Sequence, residues 1–231
     1  MTDESLKEEI LVNVTPSEVR AALLENGILQ EIYVERSARR GVISNIYKGR
    51  VSRVLPGMQA AFVDIGLQRT AFLHVSDIVR QQNGNGNGES DELPNIRDLV
   101  REGEDVLVQV VKDPLGNKGA RLTTFVTLPA RHLVLLPKGS NVGISARIED
   151  DAERDRLREL VAGLLEEAGL ECGAIVRTVA DGAEADALRA DLEFLVKLWN
   201  VVQERCSNAA VQTLIHEDLP LPLRVLRDLV T

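Results

Sequence analysis

Two-residue alternation in residues 60–75 is the feature that most constrains the fold of this 231-residue chain. In AAFVDIG (60–66) and TAFLHV (70–75), every second residue is a small or branched apolar one, the pattern of a half-buried strand. The apolar positions are Ala61, Val63, Ile65, Ala71, Leu73 and Val75. Phe62 and Phe72 have the opposite phase, together with Asp, Thr and His. Two of the four phenylalanines of the chain are therefore predicted on the polar face of neighbouring strands.

Three further segments with strand character belong to the same region, at 42–55, 105–113 and 120–128. Five short strands separated by glycine-containing turns predict a small β-barrel of the OB type. The Gly/Asn-rich segment 81–95 is predicted to be a mobile loop between two of the strands. Before the barrel, residues 10–36 read as three strands, two of them joined by an Asn-Gly hairpin turn.

After Leu128 the sequence pattern changes to strands that alternate with helices, as in an α/β unit. The segment 131–137 is predicted to be a buried strand and 173–180 a second strand. Residues 149–170 and 181–204 carry apolar residues at helical spacing, and acids fill the start of the first helix. A further amphipathic element begins at Leu221.

Charge is distributed unevenly along the chain. The net charge is −9, yet residues 37–80 carry seven basic and two acidic side chains, a local excess of +5. This asymmetry predicts a basic binding module joined to an acidic, helical one. The acidic start, the two isolated cysteines and the absence of a long apolar run lead us to expect a cytoplasmic protein without a signal peptide or membrane segment.

Phe62 and Phe72, on the outer face of the predicted strands, are candidates for nucleic-acid binding, because exposed rings on an OB barrel stack on unpaired bases. Alternation places Lys48 and Arg50 together on one face, where they would be available to phosphates. Lys118 and Arg121 lie in or beside a glycine-flanked turn that we expect to be flexible. The alternative is that both phenylalanines pack against a neighbouring domain. Two rings in matching phase within the basic stretch favour nucleic acid.

A second candidate is Arg177 with Thr178 at the end of a predicted strand, a possible anion site. On spacing alone, an ion pair of Arg177 with Asp181 or Asp186 is the better interpretation. The three histidines are scattered, Ser145 lacks a nucleophile context, and no phosphate-binding glycine motif occurs. The sequence thus offers no catalytic residue.

Three long motifs resemble the ribonuclease E/G family of bacterial endoribonucleases, and its G branch more closely. They are NIYKGRVSRVLPGMQAAFVDIGLQRTAFLHVSDI, VVKDPLGNKGARLTTFVTLP and GAIVRTVADG. The resemblance implies that Phe62, Phe72 and Lys118 contact RNA. It also implies that Arg177, Thr178 and the main chain near Val134 bind a 5′-monophosphate, which overrules the ion-pair interpretation. An auxiliary basic position of that pocket is occupied here by Ala146, beside Arg147.

The resemblance further implies an α+β, multidomain architecture. We expect a first part of an RNase H-like domain at 1–37, an OB-fold RNA-binding domain at 38–124, a 5′-sensor domain at 125–221, and the start of a second RNase H-like part at 222–231. The family's catalytic acids, which hold Mg²⁺, and its zinc-binding segment, which supports a homodimer, match nothing in this chain. The chain alone is therefore expected to be monomeric and inactive.

The function implied for the intact enzyme is cleavage of single-stranded A/U-rich RNA with a 5′-monophosphate, in ribosomal RNA maturation and mRNA decay. The alternative is a self-standing, non-catalytic protein that binds single-stranded RNA.

Overall fold

The chain is described by a computed structural model that covers residues 7–78 and 94–230. Its strands are β1 (Glu8–Val14), β2 (Glu18–Glu25), β3 (Ile28–Arg36), β4 (Ile46–Leu55), β5 (Ala60–Asp64), β6 (Ala71–His74), β7 (Asp105–Lys112), β8 (Arg121–Thr123), β9 (Leu128–Pro129), β10 (Leu133–Leu136), β11 (Val142–Ile144), β12 (Gly173–Val176) and β13 (Thr213–His216). Its α-helices are α1 (Ile96–Leu99), α2 (Asp151–Glu167), α3 (Ala185–Asn208) and α4 (Leu221–Leu229). Nearly all of the predicted loop 81–95 lies outside the described residues.

The chain divides into two compact units. One comprises residues 1–41 and 218–231, and the other residues 42–217. The domain boundaries predicted from the sequence divide the chain more finely and stay predictions.

The first unit is a three-stranded antiparallel sheet in the order β1-β2-β3, with α4 against one face. The hairpin between β2 and β3 turns at Asn26 and Gly27, both with positive φ (50° and 77°), as a tight Asn-Gly turn requires. Leu221 and Val225 of α4 are buried with Ala21 of β2, so the predicted amphipathic element is a helix with its apolar side on the sheet.

The other face of this sheet is apolar and open. Register places Leu11 beside Ala22, and Ala22 beside Ile32, in one row across the three strands. Leu11 is 58% exposed and Ile32 is 61% exposed. An apolar row of this kind costs free energy in water and is a potential docking surface.

The second unit contains a closed five-stranded barrel in the order β4-β5-β6-β8-β7, with β7 returning to β4. The pair β6–β8 is parallel and the other four pairs are antiparallel. This arrangement with its helices is consistent with an OB-like α+β fold. The inward side chains of the predicted alternation are all buried, including Val63, Leu73 and Val75.

One predicted barrel strand, 120–128, was too long. β8 ends at Thr123, because hydroxyl and amide groups of the next residues form other hydrogen bonds. The hydroxyl of Thr123 and the amide of Thr124 donate to the carbonyl of Asp77, at 3.1 Å and 2.8 Å. The Thr123 hydroxyl in turn accepts from the amide of Phe125 at 3.1 Å. Such local bonds replace the strand ladder, and Leu128 enters a different sheet.

That second sheet has the order β11-β12-β10-β9, with β11 and β12 parallel. The helices α2 and α3 pack against it through the predicted apolar stripes, including Leu157, Val161, Leu188 and Leu195. The segment 131–137, predicted to be a buried strand, contains β10, in which Leu133 and Leu135 are buried and Val134 and Leu136 are half-buried. The helices cover one face of the sheet and leave the other partly open.

The barrel has its own core, and one end of it also packs into the core of the α/β part. Ile46 of β4 is buried in the same cluster as the helix residues, and Leu107 of β7 packs against it. In addition, β13, which follows α3, pairs with the first residues of β4. These contacts join the two parts of residues 42–217 into one packed body.

Candidate nucleic-acid interface

Phe62 and Phe72 form a cross-strand pair on the outside of the barrel. They lie directly opposite each other in the antiparallel ladder of β5 and β6. Their ring centroids are 6.2 Å apart in an edge-to-face arrangement, at 69° between ring planes. Both rings are half-buried while their sequence neighbours point into the core, so the predicted strand phase is confirmed. A role of these rings in RNA binding stays a prediction.

Basic residues continue the row of this ring pair across the barrel. Arg53 of β4 is opposite Phe62, and Arg121 of β8 is beside Phe72. Lys112 of β7 is opposite Arg121, and both Arg53 and Lys112 are exposed. Sequence reasoning missed these two cations because the ladder register shifts between Val51 and Arg53, and again before Lys112. A β-bulge reverses the phase that simple alternation predicts.

Arg50 and Arg121 are exposed but partly neutralised. Arg50 forms an ion pair with Asp105 at 2.9 Å. The guanidinium of Arg121 donates two hydrogen bonds to Asp77 Oδ2, at 3.1 Å and 2.8 Å. Each arginine keeps about half of its side chain in solvent, at 50% and 43% exposure. Both guanidinium groups can therefore still contact an anion, although Asp105 and Asp77 neutralise part of their charge.

Lys48 differs from the prediction. Its ammonium donates to the carbonyl of Cys206 at 3.0 Å and to that of Ala209 at 2.9 Å, at the end of α3. The last carbonyls of a helix lack partners within the helix and attract a cation. The expectation that Lys48 is available to a phosphate was therefore wrong, and its position in the structure is that of a helix cap.

Lys118 lies in a turn that is held more firmly than predicted. The backbone groups of Leu115 and Lys118 bond each other in both directions, at 3.2 Å and 2.9 Å. The guanidinium of Arg69 donates to the carbonyl of Asn117 at 2.9 Å. A Cβ on Gly119 would lie 1.9 Å from the carbonyl oxygen of Thr70, so only glycine fits there. The turn thus presents the exposed Lys118 side chain from an ordered backbone.

Arg177 and Thr178 follow the end of β12, an inner strand of the second sheet. The guanidinium of Arg177 donates to the carbonyl of Ala130 at 2.7 Å, and its backbone amide donates to His132. The hydroxyl of Thr178 is 2.8 Å from that of Ser145. Ser145 follows β11, and the parallel pairing of β11 with β12 brings these two hydroxyls together. Sequence reasoning considered Ser145 only as a nucleophile, since nothing local reveals this pairing.

Val134 lies inside the sheet rather than at its edge. It pairs with Ile175 of β12 on one side and with Pro129 of β9 on the other. Arg177 directly follows β12, two residues after Ile175, so the three predicted residues lie in or just beyond two adjacent strands. Their assignment as a 5′-monophosphate pocket stays a prediction.

A charged clamp holds the loop that follows Thr178. Glu153, in the first turn of α2, accepts two hydrogen bonds of 2.6 Å from Arg156 and one of 2.9 Å from the amide of Gly182. Arg156 also donates to the carbonyl of Ala183 at 3.0 Å. The Arg156 guanidinium, and secondarily the Gly182 amide, lower the pKa of the Glu153 carboxyl from 4.5 to about 2.

Comparison with known proteins finds relatives in one family. Residues 127–231 match the model of the Ribonuclease E/G family. The chain is 53% identical to Ribonuclease G of Haemophilus influenzae over 224 residues, which are 96% of this chain and 45% of that protein. It is 53% identical to Ribonuclease G of Escherichia coli K12 over 95% of this chain and 45% of that protein. The resemblance to the ribonuclease E/G family is confirmed.

Two further matches are weaker. Ribonuclease E of Escherichia coli K12 is 39% identical over 96% of this chain and 21% of its own length. The a/eIF2alpha–aDim2p–rRNA complex from Pyrococcus horikoshii OT3 matches 55% of this chain and 63% of its own, at 16% identity. Its TM-score of 0.27 is too low to support any argument. The chain spans less than half the length of the curated relatives it matches.

No group of three or more His, Cys, Asp or Glu residues that could hold a metal ion occurs in 7–78 or 94–230. None of the helices in those ranges is long and apolar enough to cross a membrane.

Proposed function

We propose that this chain is the RNA-binding and 5′-monophosphate-sensing region of a ribonuclease G-type endoribonuclease. In this proposal the barrel is an OB-fold RNA-binding domain and the following α/β part is a 5′-sensor domain. The two parts of the first unit belong to an RNase H-like domain. The observation that carries the proposal is the in-register pair of Phe62 and Phe72 on the outside of a closed barrel.

The ring pair supports binding of single-stranded RNA because every base has a face that can stack on an aromatic ring. Stacking contributes roughly 1–3 kcal/mol per base and tolerates any sequence. The exposed cations Arg53, Lys112 and Lys118 can attract the phosphates between the stacked bases. Arg50 and Arg121 contribute with the part of their charge that Asp105 and Asp77 leave unbalanced.

Arg177 and Thr178 support recognition of a 5′-monophosphate. A planar guanidinium can hold a phosphate through two parallel hydrogen bonds, and a neighbouring hydroxyl can donate a third. The hydroxyls of Thr178 and Ser145 lie on adjacent strand ends, 2.8 Å apart, and the Thr178 side chain is exposed. A 5′-hydroxyl would leave these donors without an anion, and the acidic chain disfavours the larger charge of a triphosphate.

The whole protein would cleave single-stranded A/U-rich RNA in ribosomal RNA maturation and mRNA decay, in the cytoplasm, as a homodimer. The Mg²⁺ and zinc that the family resemblance implies would be held by residues outside this chain. In this chain the proposed chemistry is therefore binding and orientation of RNA, and we expect no cleavage by the chain alone.

The test is a set of dissociation constants for one oligonucleotide with a 5′-monophosphate, a 5′-triphosphate or a 5′-hydroxyl, at fixed salt. We expect the monophosphate to bind best and Arg177→Ala to remove the preference while leaving basal affinity. Arg177→Lys should restore little, because an ammonium cannot form the two-pronged contact. Arg189→Ala is the matched control, because Arg189 is an exposed arginine of α3 that pairs with Glu167. Equal affinity of the wild-type chain for all three ends would refute the sensor.

The alternative is a self-standing, non-catalytic protein that binds single-stranded RNA through the same pair of rings. A reading frame that continues past Thr231 into an acid-rich metal-binding domain supports the enzyme. A natural stop codon at that position supports the alternative.

A further inference from the structure

Asp191 of α3 holds the tight loop that joins β9 to β10. The amide of His132 donates to its Oδ2 atom at 2.6 Å, and the amide of Leu133 donates to the same atom at 3.2 Å. The imidazole Nδ1 of His132 lies 3.4 Å from that oxygen. The Asp191 side chain is only 17% exposed, so the two amides supply the partners that a largely buried carboxylate requires.

This contact changes the hydrogen bonds of the loop. The amide of Ala130 donates to the carbonyl of Leu133 at 2.8 Å, as in a two-residue hairpin turn. In a regular turn of this kind, the amide of Leu133 would return the bond to the carbonyl of Ala130. In the described part of the chain, the bond of Leu133 to Asp191 takes the place of this return bond. The carbonyl of Ala130 is thereby left for another donor.

That donor is Arg177. Its guanidinium Nη1 donates to the carbonyl of Ala130 at 2.7 Å, and its backbone amide donates to the carbonyl of His132 at 2.8 Å. Both carbonyls belong to the loop that Asp191 holds, so the carboxylate, the loop and the guanidinium form one series of contacts. Because the guanidinium is planar and rigid, a bond at one N–H also fixes the direction of the rest of its fork.

We propose that Asp191 is a positioning residue for the 5′-monophosphate site, which keeps the carbonyl of Ala130 available to Arg177 and so fixes the direction of the guanidinium. The inference rests on the proposed recognition of the RNA 5′ end by Arg177 and Thr178. Binding of a phosphate by an arginine that is already oriented costs less side-chain entropy than binding by a mobile one. Asp191 carries a negative charge and is largely buried, so it acts through Arg177 and not on the phosphate itself.

The competing explanation is that Asp191 only fastens α3 to the sheet. It directly precedes Leu192 and follows Leu188 by one helical turn, and both leucines are buried in the helix cluster. A purely structural role predicts a loss of stability, while the folded protein still distinguishes RNA 5′ ends as before. The positioning role predicts that the folded protein loses this discrimination.

The experiment measures the ratio of two dissociation constants, for one oligonucleotide with a 5′-hydroxyl and with a 5′-monophosphate, at fixed salt. This ratio cancels any change in the folded fraction, since both oligonucleotides bind the same folded protein. We expect Asp191→Ala to lower the ratio by about tenfold, or to one where the wild-type ratio is smaller, which corresponds to about 1.4 kcal/mol. Asp191→Asn keeps an oxygen acceptor without the charge and should lower the ratio about threefold, because neutral hydrogen bonds are roughly half as strong.

Two further variants of α3 are the controls. Glu193→Ala removes an exposed carboxylate that pairs with Lys197, and it should leave the ratio unchanged. Val202→Ala creates a cavity at a buried residue of the same helix, and it should lower the melting temperature without changing the ratio. In the Arg177→Ala background, Asp191→Ala should have no further effect on the ratio, because Asp191 acts through that arginine.

Each outcome decides the proposal. If Arg177→Ala lowers the ratio and Asp191→Ala does not, the 5′-end site stands and the role of Asp191 is overturned. Should Asp191→Ala not fold, a wild-type ratio for Asp191→Asn overturns it in the same way. An equal loss in Val202→Ala, or a further loss on adding Asp191→Ala to Arg177→Ala, would also contradict it. If the wild type itself gives a ratio of one, the 5′-end site and this proposal both fail.

Discussion

At the scale of single residues, the alternation of residues 60–75 was enough to place Phe62 and Phe72 on the outer face of the barrel. The facing cations Arg53 and Lys112 could not be placed in this way, because bulges in β4 and β7 shift the phase by one residue. Side-chain phase is thus predictable within a regular strand and is lost at an irregularity that only the folded ladder reveals.

We expect Phe62→Ala and Phe72→Ala each to weaken binding of single-stranded RNA by roughly 1–3 kcal/mol, because each removes one stacking surface. Both rings lie on the outer face, so the variants should keep a cooperative thermal transition. Phe194→Ala on α3, where the ring is 56% exposed, is the control and should bind normally. Loss of the cooperative transition with unchanged binding by the folded fraction would make that phenylalanine a core residue instead.

At the scale of elements, the contact of Lys48 with the end of α3 has a measurable energy. We expect Lys48→Met to lower the free energy of unfolding by about 1.5–3 kcal/mol, the usual contribution of a hydrogen bond to a charged group. Urea denaturation measures this change, with Lys197→Met at an exposed helix pair as the control. RNA affinity of the folded variant should be unchanged. A loss of affinity at constant stability would instead restore Lys48 as a phosphate contact.

The clamp at Glu153 makes the loop after Thr178 sensitive to acid. The pKa of the Glu153 carboxyl is lowered in the folded protein. The clamp therefore stabilises the fold fully above pH 4.5, and its effect is lost as the pH falls toward 2. We expect Glu153→Gln to show a flatter dependence of melting temperature on pH within this window. Identical pH profiles of the variant and the wild type would show that the carboxylate is not linked to folding.

The order of elements followed from the sequence more readily than their pairing did. Helical periodicity predicted the buried residues of α2 and α3, and the Asn-Gly turn predicted the first hairpin. The parallel pairing of β11 with β12 joins residues about thirty positions apart, and no local pattern specifies such a contact. For this reason Arg177 and Thr178 were candidates from the sequence, whereas the neighbour Ser145 emerged only from the fold.

At the scale of the whole molecule, the chain alone is expected to be a monomer. The open apolar row of Leu11, Ala22 and Ile32 is the surface through which a dimer would form instead. Light scattering over a range of concentrations should give the monomer mass, unchanged by a chelator. Should a dimer form, Ile32→Glu identifies its contact surface, because a charge in the centre of a buried apolar row would dissociate it. A stable dimer that this substitution dissolves would contradict the expectation.

The packing of the barrel against the helix cluster has a consequence for the length of RNA that residues 42–217 can bind at both of the proposed contacts. Because Ile46 and Leu107 pack into the helix cluster, we expect the span from the phenylalanine rings to Arg177 to be fixed. An RNA long enough to reach both the rings and Arg177 binds the second contact at a high effective concentration once it is bound at the first. A shorter RNA can occupy only one of the two contacts at a time. The 5′-monophosphate preference should therefore appear abruptly with oligonucleotide length, which a series of dissociation-constant ratios would reveal. A preference of equal size at every length would mean that the end pocket works without help from the barrel.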